Sequence, residues 1–193
     1  MTDSEWFSAP PATPVNGSEP FSGLDATVLD FWRFAMSDLR MNNVRGYLAE
    51  FLVARAVGSR SPRVEWDAYD VLAPDGTRIE VKSSAYMQVW DQRQPSRIVF
   101  TGLVGRTWTP QQGEAPTATF NADVYVFCVQ TAQSHDVYDV LDSNQWSFYV
   151  VDRETLEGLG YKSISLSSLQ RLTAGPISYA DLNSAIKAAA GTA

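Results

Sequence analysis

Two reactive side chains are almost missing from this sequence: it has one cysteine and one histidine in 193 residues. The lone thiol, Cys128, excludes an internal disulfide and any zinc site built from several cysteines. It sits within "VYVFCVQ", where it reads as a small core residue. The lone imidazole, His135, stands in the polar stretch "TAQSHDVYD" and reads as an exposed loop residue; sites needing paired histidines are excluded. Basic residues are scarce too, with 15 Lys and Arg against 22 Asp and Glu and a net charge of −7. That balance argues against a protein that coats nucleic acid through general charge, though local contact with a polyanion stays open. No apolar run reaches the ~20 residues of a membrane span. The start, "MTDSEWFSAPPATPVNGSEP", has neither the basic residues nor the apolar stretch of a secretory signal. A cytoplasmic protein without membrane segments is expected.

What is present supports a folded domain. The chain is 45% hydrophobic and 12% aromatic, enough for a core without disulfides. Its length fits one domain with tails. Residues 1–23, rich in Pro, Ser, Thr and Gly, read as a flexible arm, 24–189 as the domain and 190–193 as a tail. From Asp25 the period turns helical, with Val28, Phe31, Trp32, Ala35, Met36 and Leu39 on one face. After "RMNN", Asn43 is placed to cap a second helix, Val44 to about Val57, stopping at Gly58. Its main apolar stripe reads as Tyr47, Leu48, Phe51 and Leu52. Then the period changes. "RVEWDAYDVLAP" and "TRIEVKSSAYMQVW" are strand-like and joined by the turn signal "PDG". "RIVFTGL" is a further strand, followed by a long Gly/Pro/Thr loop. "ADVYVFCVQT" is the most apolar strand and the expected sheet centre; "WSFYVVD" follows. "RETLEGL", "SLSSLQRLT" and "SYADLNSAIKAAA" read as helices. The order implies an α/β or α+β layered fold around a mixed sheet.

The chemistry concentrates in "RIEVKSSAYMQVW". Residues two apart on a strand point the same way, so Glu80 and Lys82 share a face. Folding back at "PDG" brings Asp70 beside them. Two carboxylates and an amine then converge. Mg²⁺ takes oxygen ligands, commonly one or two carboxylates plus water and substrate phosphate. A bound cation activates water and neutralises phosphodiester charge, and a lysine can orient that water or stabilise the transition state. Asp67 rivals Asp70, three residues upstream and on the opposite face of a regular strand. Glu50, on the preceding helix, has small or apolar neighbours (Gly46, Val53, Ala54) instead of basic partners, which suits a carboxylate facing a pocket. On an extended strand Ser84 and Gln88 would share the face of Glu80. Arg93, Arg97 and Arg106, near Trp90 and Trp108, are candidates for phosphate contact and base stacking.

The pieces "AYDVLAPDGTRIEVKSSAYMQVW" and the earlier "RGYLAEFLVARAVG" resemble the PD-(D/E)XK nuclease superfamily, with its restriction-endonuclease-like fold: a helix, three strands, a helix and a strand. The resemblance covers roughly Val44 to Thr131. It departs at the first motif residue, since Tyr69, not proline, precedes Asp70. It implies a mixed sheet flanked by helices and a Mg²⁺-dependent nuclease, with Mn²⁺ as substitute. Asp70 and Glu80 would be metal ligands, with Glu50 supporting. Lys82 would be the catalytic amine, and Gln88 would help orient water or phosphate. The implied substrate is nucleic acid, DNA before RNA, acted on by a homodimer or with a partner subunit. The alternative is a lapsed member serving as a binding or regulatory module.

Overall fold

The computed structural model describes residues 10, 13–63, 68–109 and 111–191. Among the described residues five α-helices accompany a mixed four-stranded sheet, an α+β fold. The sheet order is β1 (Val71–Leu72), β2 (Arg78–Ala85), β6 (Val124–Gln130) and β7 (Trp146–Asp152). β1 and β2 form the expected hairpin, with Val71 opposite Ile79, and the "PDG" turn closes through Gly76 at φ 91°. β2 runs parallel to β6, and β6 antiparallel to β7.

β6 lies at the centre because every one of its residues is apolar or neutral and both its faces are covered. Val124, Val126 and Cys128 pack with Ile79 and Val81 against α2 (Asn42–Val57) and α5 (Leu182–Ala189). Tyr125, Phe127 and Val129 pack the other way. That second layer holds α3 (Arg153–Leu159), α4 (Leu166–Leu172) and a two-stranded sheet of β3 (Val99–Thr101) with β8 (Ser163–Ser165). The connection from β2 to β6 carries β3 and the short hairpin β4 (Trp108–Thr109)–β5 (Gly113–Glu114). Among the described residues no α-helix separates β6 from β7, so the main sheet lacks the helix that the family's element order places before its last strand.

Several local expectations are corrected. α2 starts at Asn42, its N-cap is Met41, and no side chain caps it; Asn43 lies inside the helix. Its C-terminus is as expected, with Gly58 left-handed at φ 77°. The buried stripe of α2 is Val44, Ala49 and Val53, backed by Leu48 and Leu52, while Tyr47 and Phe51 turn outward. α1 (Val28–Met36) is shorter than its apolar pattern and buries no residue; Phe34 is 87% exposed. Trp32 instead covers the last part of the expected arm: a Cβ on Gly17 would stand 3.0 Å from its ring. Because α1 is so little buried, its caps matter locally. Thr27 and Asp30 form a capping box, with the Thr27 N–H donating to Asp30 at 2.8 Å. Thr27→Ala is expected to cost about 1 kcal/mol of local helix stability. Amide exchange at Asp30 and Phe31 should speed up while the global unfolding midpoint stays put.

Candidate functional site

The short β1 shapes the site. Its ladder with β2 ends at Val71–Ile79, so Asp70 stands just past it, opposite Glu80. There Asp70 turns its carboxylate onto the free edge of β2, and Oδ2 accepts from the Val81 N–H at 2.8 Å. Glu80 and Lys82 point away from Val81, towards the layer that contains β3. Their side chains are mostly covered, and Lys82 Nζ donates to Glu80 Oε1 at 2.6 Å. Gly102, just after β3, lies beneath the lysine head, with 3.9 Å from its would-be Cβ to Nζ.

Glu50 arrives from α2, on the opposite layer, across this open strand edge. It accepts from Arg63 Nε at 2.6 Å, and the Arg63 guanidinium lies 4.7 Å over the Tyr47 ring. Burial pushes the Glu50 carboxyl up to about 7; the charges of Asp70 and Glu80 add to this, and Arg63 opposes it without prevailing. Glu80 is raised for the same reasons, burial first and then Asp70, against the pull of Lys82. The three carboxylates therefore feel one another. No group of three or more acidic, histidine or cysteine side chains among the described residues is close enough to form a ready metal cluster. Beside Asp70 and Glu50 opens a cleft of about 680 Å³, walled by Tyr47, Phe51, Tyr69 and Leu72.

The remaining candidates disperse. β2 ends at Ala85, so Gln88 does not continue the Glu80 face. It is buried, its Oε1 accepts from Arg45 at 3.3 Å, and its Nε2 donates to the Ala85 carbonyl at 2.9 Å. Ser84 stays on the strand. Arg93 and Arg97 are exposed, as are Trp90 and Trp108. Arg106 pairs with Glu114 at 3.0 Å across the small hairpin. His135 lies in an exposed 3₁₀ turn. Asp67, the rival to Asp70, lies outside the described residues. Sequence reasoning missed Arg63, the partner of Glu50. Its only signal was a basic residue shortly after a helix carrying an unpaired glutamate.

No helix among the described residues is long and apolar enough to cross a membrane. No curated protein matches the chain. The family profile described as bacteriophage T4 endonuclease IV matches residues 34–144, more than half of the 193 residues. Glu50, Asp70, Glu80 and Lys82 all fall inside that span, and on this match the chain belongs to the bacteriophage T4 endonuclease IV family.

Proposed function

We propose that the chain is a divalent-metal-dependent nuclease of the PD-(D/E)XK type that hydrolyses phosphodiester bonds in DNA. The observation that carries this reading is the Glu80–Lys82 contact at 2.6 Å with Asp70 opposite Glu80 on one hairpin. Membership of an endonuclease family supports it; DNA before RNA follows from the superfamily resemblance.

The donor set fits Mg²⁺ or Mn²⁺. Asp70 uses Oδ2 on the Val81 N–H and Glu80 uses Oε1 on Lys82, so each keeps one oxygen without a partner among the described residues. Two carboxylates completed by water and a phosphate oxygen are an ordinary Mg²⁺ site. Such an ion, when bound, would lower the pKa of its water and offset charge on the phosphodiester. Lys82, held by Glu80, orients the attacking water and donates to a non-bridging phosphate oxygen as charge builds there. Glu50 and Arg63 support the carboxylate pair from the helix side. Gln88 is a positioning residue, fixing the end of β2 to α2 through Arg45.

Plasmid cleavage in Mg²⁺, with and without chelator, tests the reading. Wild type should cut, and chelator or Asp70→Ala should stop it. Equal cutting by wild type and Asp70→Ala removes the proposal. DNA binding without cutting, in Mg²⁺ or Mn²⁺, favours the regulatory module.

A further inference from the structure

One stripe of α2 faces the cleft. Tyr47, Glu50, Phe51 and Ala54 follow at three- and four-residue steps, so they share a side of the helix. All four wall the cleft of about 680 Å³ beside Asp70. That volume lies within the ~300–1,000 Å³ usual for ligand clefts. Phe51 is 57% exposed, and Met36, Tyr47 and Leu72 in the same walls are also open to solvent. Large apolar side chains gathered in one open cleft mark a binding surface.

Two observations say what the cleft takes. The first is its polar groups. Ser59, in the wall, is only 8% exposed, and its hydroxyl has no partner among the described residues. A nearly buried hydroxyl calls for one. Arg63 gives Nε to Glu50, and its Nη groups find no acceptor among the described residues. The second observation is charge. The Arg63 guanidinium lies 4.7 Å over the Tyr47 ring, and that of Arg55 lies 5.9 Å over the Phe51 ring. Arg60, between Ser59 and Ser61 of the wall, is exposed. Neither Arg55 nor Arg60 forms an ion pair among the described residues. Three arginines thus rim one cleft in a chain of net charge −7. A second copy of so acidic a chain is repelled overall, whereas a polyanion is drawn to that rim.

We propose that this cleft is a base pocket: it receives one nucleobase of the bound strand, taken out of its stack, beside the phosphodiester to be cut. That the cut lies beside it rests on the proposed function, because Glu50 and Asp70 line the same cleft. The base stacks on the rings of Tyr47 and Phe51, and the arginines on those rings add charge that favours the strand. Arg63 carries donors only, so its Nη groups meet acceptor atoms on the polar edge of the base, and the Ser59 hydroxyl completes that edge. A base stacked inside a duplex has no access to such walls. The strand is therefore single at this point, or its base is flipped.

Phe51→Ala is the discriminating variant, and Phe34→Ala, on α1 and outside the cleft walls, is the control. Each is bound, with chelator present so that nothing is cut, to a single-stranded DNA oligonucleotide, to its duplex and to a fully abasic strand of equal length. Phe51→Ala should bind the base-bearing single strand about five- to a hundredfold more weakly than wild type and the abasic strand equally well. Phe34→Ala should match wild type on both. Phe51→Leu keeps the bulk but loses the aromatic face; it should weaken binding in the same way and replaces Phe51→Ala if that variant does not fold. Duplex bound as tightly as the single strand marks a flipped base, and weaker duplex binding marks a strand already single. No loss in Phe51→Ala, or equal loss on the base-bearing and abasic strands, overturns the proposal. So does a wild type that is dimeric where Phe51→Ala is monomeric with unchanged DNA affinity, which makes the cleft an interface between copies. Mg²⁺-dependent cutting that Phe51→Ala leaves intact overturns the pocket alone. A base-dependent loss in a protein that cuts no DNA upholds the pocket and overturns the nuclease reading.

Discussion

Lys82→Met is expected to lower DNA cleavage by about 10²–10³-fold while leaving the fold intact. The lysine is the amine nearest the paired carboxylates, and its head is mostly covered beside Gly102. Methionine keeps the length of the stem and removes the donor. Asp70 and Glu80 remain, so Mg²⁺ should still raise the melting temperature, which separates a lost catalytic amine from a lost ion site. Lysine also lowers the Glu80 carboxyl by its charge and hydrogen bond. Its removal lets Glu80 climb further, and protons then compete harder for the donor oxygens. The Mg²⁺ response of the variant should therefore need a higher pH than that of wild type. Lys82→Arg should rescue poorly, because a planar guanidinium does not reproduce a compact ammonium point charge. Near-wild-type cleavage by Lys82→Met would remove the amine from the mechanism.

The acidic–basic set could be read from the sequence because its determinants are local. The two-residue strand period put Glu80 and Lys82 on one face, and the "PDG" turn set Asp70 against Glu80 within ten residues. β6 was equally legible, since seven consecutive apolar or neutral residues can only lie between two layers. What stayed hidden depended on distant partners. β8 pairs with β3 across more than sixty residues, and its serines read locally as a helix start. Gln88 fell off the predicted face because β2 stops at Ala85, where the chain bends so that Ser96 can donate its N–H to the Tyr86 carbonyl at 2.8 Å. The outer face of α2 was misassigned for a related reason. Tyr47 and Phe51 look like core by periodicity, yet they wall the cleft beside Glu50. Arg45 on the same helix would pass for a solvated residue, and only the packed structure shows it buried against Asn42 and Gln88.

Stability should fall as pH rises from about 4.5 to 7, and Glu50→Gln should remove most of that fall. The Glu50 carboxyl is raised from 4.5 to about 7 in the folded protein. The folded state therefore holds this proton in a range where the unfolded chain has released it. Stability from this group is complete below about pH 4.5 and declines through pH 7. At ~1.4 kcal/mol per pKa unit the full effect is about 3 kcal/mol. The side chain is only 13% exposed, so solvent screening takes little of it away. Glu80, also raised, adds in the same direction. Asp38 and Asp123 are lowered by their arginine partners, so they lose their contribution only below the ordinary aspartate range, outside this window. Glutamine cannot ionise, so Glu50→Gln should be more stable than wild type at pH 8 and nearly equal to it at pH 4.5. Urea midpoints at these two pH values measure the difference, and a wild type that gains stability between them would contradict the origin assigned to the shift. If Glu50 also supports the ion pair site, Mg²⁺ at pH 8 should restore more stability to wild type than to the variant, because only wild type has a buried carboxylate whose charge the cation can offset.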